Sequence, residues 1–133
     1  MRTVKAVMFD LDGTLVDSLP ELYYGVQAAL SDMGFRVPSQ EAVGAMIGRG
    51  IGVLVDRICV DLGIDPASEQ RAELFSRLLK AWQASAGSRV AFYPGVLEGV
   101  ERLKEKGIKV ALVTNKLRGL TMDFLKSRGL EKF

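Results

Sequence analysis

The sequence predicts an α/β fold, a partial doubly wound parallel sheet with an inserted all-helical cap, and three features predict it. An apolar, β-forming run over residues 4–9 ends in Asp10-Leu11-Asp12-Gly13-Thr14. Residues 18–87 then carry only helical periodicity. From Pro94-Gly95 onward come a helix, a second apolar strand over residues 108–113 and a last helix, which is the grammar of a βαβ unit. The catalytic core is therefore expected over residues 1–17 and 88–133, with the cap at 18–87.

Ser18-Leu19-Pro20-Glu21 reads as a capping box, with Ser18 capping the first amides and Glu21 reaching back. The helix it opens has an apolar stripe of Leu22, Tyr23, Val26, Leu30 and Met33 and stops at Gly34. Pro38 and Ser39 start a short helix to about Ile47, and Gly48-Arg49-Gly50 breaks the chain before a helix over residues 51–62. Asp65-Pro66 reads as an N-cap with a first-turn proline, opening a long helix whose inner face holds Leu74, Phe75, Leu78, Leu79 and Trp82. Past Pro94-Gly95, Val96, Leu97, Val100 and Leu103 mark a helix that ends at Gly107. The strand over 108–113 suggests burial on both faces, as in a parallel sheet. Leu117, Leu120, Phe124 and Leu125 mark the final helix, ending near Gly129.

Composition narrows the chemistry. A chain of 133 residues, 48% hydrophobic and 26% charged, is ordinary for a soluble globular protein. Histidine is absent, which excludes Ser-His-Asp triads, Cys-His pairs, phosphohistidine and His-ligated zinc, so carboxylates or lysine must move protons. The one cysteine, Cys59, falls on the apolar stripe of residues 51–62 and reads as core. No disulfide within the chain is possible, which fits the cytoplasm. Eighteen basic residues against sixteen acidic ones give a net charge of +2. Arg71, Arg77 and Lys80 sit among acidic or apolar neighbours as a solvated helix face, so no nucleic-acid partner is expected. No signal peptide is expected over residues 1–9, and no apolar run approaches the ~18 residues of a membrane span.

The chemistry-bearing residues converge by topology. Ligands of parallel sheets sit beyond the carboxyl ends of the strands, where Asp10 and Asp12 come after one strand and Thr114 and Asn115 after the other. Gly13 lets the backbone leave the strand there, so one carboxylate can lead and the other stand beside it. The first can attack and the second shuttle a proton, the residue set for moving a phosphoryl group through an aspartyl intermediate. Two other readings of glycine-bearing segments fail. A calcium loop places its glycine sixth and a glutamate twelfth between helices, whereas Gly13 is fourth from Asp10 after a strand. Gly48-Arg49-Gly50-Ile51-Gly52 comes after a helix instead of a strand, which removes the context of a dinucleotide loop.

The string Asp10-Leu11-Asp12-Gly13-Thr14-Leu15-Val16-Asp17-Ser18, taken with Val113-Thr114-Asn115-Lys116, resembles the first two motifs of the haloacid dehalogenase-like hydrolases. Phe92-Tyr93-Pro94-Gly95-Val96 and the Gly48-Arg49-Gly50 stretch are similar to the phosphoglycolate phosphatase branch of that family. The resemblance implies a Rossmann-like core and a magnesium-dependent phosphomonoester hydrolase acting on a small phosphorylated metabolite. Asp10 would be the nucleophile and a metal ligand, and Asp12 the acid and base and, through its backbone carbonyl, a second ligand. Thr114 would hold a phosphoryl oxygen, with amides near Leu11 and Asn115 adding donors. Lys116 could contact phosphate, or solvate the last helix; Arg49 could reach an acidic group of the substrate, or stand in solvent. Asp17 and Ser18 read as hinge and helix cap. Halide leaves without a proton and alkoxide does not, so a carboxylate at Asp12 favours ester hydrolysis over dehalogenation. A pyrophosphatase, a phosphosugar mutase and a non-catalytic binding module remain alternatives.

The family also carries a downstream lysine and an acidic pair, and neither occurs before Phe133. The resemblance therefore implies a core lacking roughly eighty or ninety residues, with weak or no activity in these 133 residues alone. It also implies a bare, apolar edge on the first strand, open to self-association.

Overall fold

The computed structural model describes residues 3–132; Met1, Arg2 and Phe133, the two extremes of the expected core, lie outside them. Its elements in order are β1 (Ala6–Phe9), β2 (Val16–Asp17), α1 (Leu19–Asp32), α2 (Gln40–Met46), α3 (Ile51–Leu62), α4 (Glu69–Ser85), β3 (Ala91–Phe92), α5 (Val96–Glu105), β4 (Lys109–Leu112) and α6 (Arg118–Ser127). β1 and β4 pair in parallel, Ala6 opposite Lys109 and Phe9 opposite Leu112. Their carboxyl ends are therefore level, and the loops that leave the two strands meet.

Two apolar clusters form. Helices α1–α4 bury Leu30, Val43, Val55, Ile58, Leu74 and Leu78 completely, and all but Val43 lie on the stripes their periodicity marked. Leu11, Leu15, Val16, Val90, Phe124 and Leu125 form the other, against Phe9 and Leu112 of the strands. Each fully buried leucine or valine contributes about 1.5–3 kcal/mol of transfer free energy, which fixes both assemblies despite short strands.

Between the clusters the chain crosses twice, and the crossings are zipped together. β2 on the way out pairs antiparallel with β3 on the way back, a ladder too short for sequence periodicity to reveal. Tyr93 N donates to Leu15 O at 3.0 Å beyond it. Arg128, which follows the last residue of α6, donates to Gly87 O and Val90 O and fastens the return crossing.

Three expectations are corrected. Ser18 makes no side-chain cap, and Glu21 does not reach back to it. Asp17 Oδ1 instead accepts from Leu19 N at 3.2 Å. Glu21 turns inward, only 3% exposed, and accepts from Ser85 Oγ at the end of α4 and from Gly87 N and Arg89 N of the return crossing, two backbone donors that lie beyond the helix. The long helix starts at Glu69, not at Asp65: Asp65 caps a separate turn through Ala67 N, and Ser68 is the N-cap, accepting from Arg71 N. The strands are not buried on both faces. Residues alternate, with Val7, Phe9, Val110 and Leu112 half-buried and Ala6, Met8, Lys109 and Ala111 exposed. Lys109 breaks the apolar run, and among the described residues β1 pairs with β4 alone, leaving Met8 73% exposed.

Candidate active site

Leu11, 1% exposed, anchors the loop after β1, and its carbonyl accepts from Thr14 N, Leu15 N and Val16 N. Closing so tight a loop requires left-handed backbone at Gly13, where φ is +78° and N donates to Val16 O at 2.8 Å. The loop leaves Asp10 exposed at the strand end, its Oδ1 accepting from Leu11 N at 2.8 Å. Asp12 lies half-buried beside it.

The loop after β4 is built by its own hydroxyl: Thr114 Oγ1 accepts from Lys116 N at 3.1 Å, folding Lys116 back toward β1. Lys116 Nζ then stands 3.4 Å from Asp12 Oδ1, both side chains largely shielded, at 13% and 16% exposure. Asp12 and Lys116 are 104 positions apart, and only the parallel register of β1 and β4 brings them together.

A cleft of about 540 Å³, open mouth included, contains this pair. Asp10, Asp12, Thr114 and Asn115, expected to converge beyond the strand ends, all line it, and Lys116 lines it with them. Its other walls are apolar: Leu22 from α1, Ile47, Ile51 and Leu54 around α3, Trp82 from α4, and Leu117 and Leu120 from the last helix region. Arg49 is exposed and is not among the lining residues, although its neighbours Gly48 and Gly50 are. Asn115 spends its side-chain amide on Gly48 O at 3.0 Å.

Four residues that shape this region escape sequence reasoning. Trp82 reads as core by periodicity, yet it also forms a cleft wall, where the indole packs so closely on α1 that a Cβ at Gly25 would overlap it. Leu117 and Leu120 read only as a helix stripe. Glu21 carried a signal that could have found it, since it shares a helical face with Gly25 and Ala29, both buried.

Two carboxylates, a hydroxyl and an ammonium group around one cleft can transfer an acyl or phosphoryl group and supply a proton without imidazole. Residues 7–133 match the sequence profile of the haloacid dehalogenase-like hydrolase family. A phosphoglycolate phosphatase of Thiobacillus denitrificans is 34% identical over 96% of this chain and 56% of its own length. One from Pseudomonas syringae is 37% identical over 97% of this chain and 48% of its own. A crystal structure described as a predicted phosphoglycolate phosphatase from Haemophilus somnus superposes with a TM-score of 0.89 at 30% identity, covering 99% of this chain and 60% of that one. The CbbY structure of Rhodobacter sphaeroides in complex with phosphate, 19% identical, shares the fold with a TM-score of 0.75 over 94% of this chain and 57% of that one. This chain thus spans about half the length of the curated relatives it matches. With paired aspartates after one strand, Thr-Asn-Lys after its parallel neighbour, and a profile match over nearly every residue, the chain belongs to the haloacid dehalogenase-like hydrolases.

Proposed function

We propose that the protein carrying this chain is a phosphomonoester hydrolase that works through an aspartyl phosphate on Asp10, with 2-phosphoglycolate as its substrate. The observation that carries the reading is the meeting of Asp10 and Asp12 with Thr114 and Lys116 in one cleft under an apolar roof. Residues 18–87 act as the cap and 1–17 with 88–133 as the core, a division supported by the two separate apolar clusters.

In the first step an Asp10 carboxylate oxygen forms a bond to phosphorus as the ester P–O bond breaks, and the Asp12 carboxyl gives its proton to the leaving alkoxide. In the second, the Asp12 carboxylate takes a proton from water as that oxygen bonds to phosphorus, and the Asp10–phosphorus bond breaks. Inorganic phosphate leaves and both aspartates regain their starting states. Thr114 Oγ1 holds a phosphoryl oxygen. Lys116 balances charge on the phosphoryl group and keeps Asp12 in place, as its 3.4 Å contact with Asp12 Oδ1 supports.

The donor set fits magnesium in kind. Asp10 and Asp12 offer hard oxygens, and magnesium is commonly held by one or two carboxylates together with substrate phosphate. Among the described residues no cluster of three or more acidic, histidine or cysteine side chains adds to them. Asp10 and the Asp12 backbone carbonyl would hold the ion, which supplies charge neutralisation between two anions when bound.

Phosphoglycolate as substrate rests on the relatives that carry that name at 34% and 37% identity. No helix among the described residues is long and apolar enough to cross a membrane. The buried lone Cys59 is compatible with a reducing cytoplasm, where we place the protein. A panel of 2-phosphoglycolate, pyrophosphate and sugar bisphosphates, assayed for released phosphate in the purified protein, tests the substrate. Highest kcat/KM on 2-phosphoglycolate is expected; highest on either of the others replaces the assignment.

A further inference from the structure

The helical insertion is joined to the rest of the chain by two crossings that pair through β2 and β3, and Glu21 holds the start of the return crossing against α1. Across the cleft, the far end of the insertion meets the loop after β4 at the turn over residues 48–50. There Asn115 Nδ2 donates to Gly48 O at 3.0 Å. The amide orientation is forced: a carbonyl only accepts, so the nitrogen must face it. A second contact lies two residues on and involves backbone alone. Gly50 adopts φ +88°, and a Cβ there would stand 3.1 Å from the Asn115 carbonyl oxygen, so the close approach depends on glycine.

We infer that Asn115 is a positioning residue whose side chain docks the 48–50 turn onto the loop after β4, and so sets where the Ile47–Ile51 wall stands over Asp10 and Asp12. The side-chain nitrogen is thereby committed to the turn instead of to a bound anion. The hydrogen bond is exposed and neither of its partners belongs to an apolar cluster, so breaking it frees the turn from the loop after β4 while the buried residues of both clusters stay packed; only the partly buried Ile47 and Ile51 shift against the helical one. The inference concerns closure of the cleft and does not require the phosphoryl chemistry proposed above.

Trp82 provides the readout. It is the only tryptophan, 5% exposed, and it lines the cleft. Asn115→Asp keeps the shape and removes the donor. Loss of one ordinary hydrogen bond should enlarge the open population about fivefold. Acrylamide quenching of Trp82 should therefore rise clearly in Asn115→Asp and in Asn115→Ala, while Tm stays at the wild-type value, because Asn115 is exposed. Quenching at the wild-type level in both variants overturns the inference. Should either variant lower Tm, hydrogen exchange decides: faster exchange confined to residues 47–51 supports the docking role, and acceleration that extends equally through the middle of α4 overturns it.

Discussion

Asp12 and Lys116 show what a residue pair gains from a parallel register. In sequence 104 positions separate them, yet their 3.4 Å contact places a cation against the carboxylate to which the proposed mechanism assigns the proton. Replacing Asp12 with Asn keeps the shape and removes the proton carrier, so kcat for an alkyl phosphate should fall by about 10²–10⁴ while KM changes little. A steady-state comparison of the two proteins checks this, and a phenolic ester with a good leaving group should lose less. Cys59 gives a prediction of the opposite kind. Its thiol is wholly buried, and burial pushes its pKa above the ordinary 9.0, partly offset by the Arg71 guanidinium and reinforced by Asp56. The raised group contributes stability fully below the unfolded value, and that contribution is lost as pH rises through the folded value. Tm should therefore decline more steeply above about pH 9 in wild type than in Cys59→Ala, and the native thiol should resist aromatic disulfide reagents that label it after unfolding. That Asp10, Asp12, Thr114 and Asn115 would meet in one cleft was legible because motif and strand position both pointed to the same end of the sheet. Arg49 was harder, since the sequence shows that a turn exists but not which way its side chain leaves it.

Helix boundaries obey the same logic one level up. Ser18 and Ser68 both precede helices and look equivalent in sequence, yet only Ser68 accepts a bond from its own helix, at 3.3 Å from Arg71 N. Ser68→Ala should cost about 1 kcal/mol in urea unfolding, whereas Ser18→Ala should show no loss of cap energy. Glu21 explains the difference. A carboxylate with three donors from the end of α4 and the return crossing cannot also serve its own first turn, and local pattern reading has no access to donors 64–68 positions away. Glu21→Ala strands those donors and should destabilise by about 2–4 kcal/mol, with Glu21→Gln intermediate, because a buried group left unpaired costs its full desolvation. The apolar stripes of α1, α3 and α4 were legible, since periodic apolar positions report burial against any neighbour, whereas Val43 of the short α2 was not marked. The two-residue ladder of β2 and β3 was not, because strands that short carry no period.

At the scale of the molecule, the fold class was readable from the order of elements, while the burial of the sheet was not. An apolar strand predicts two covered faces only if something covers both, and here Met8 stands 73% exposed beside a half-buried Phe9. The architecture nonetheless brings the candidate residues together: level strand ends deliver Asp10, Asp12, Thr114, Asn115 and Lys116 to one cleft, and residues of the helical insertion form its other walls. The whole arrangement converges on one atom group, the carboxylate of Asp10. The purified protein should be mixed with 2-phosphoglycolate and magnesium, quenched in acid during turnover, and digested for peptide mass mapping. The proposed mechanism predicts one added phosphoryl group on the peptide containing Asp10, sensitive to hydroxylamine and absent from Asp10→Asn, which releases no phosphate. Phosphate release with no adduct at Asp10, or undiminished release by Asp10→Asn, would contradict it.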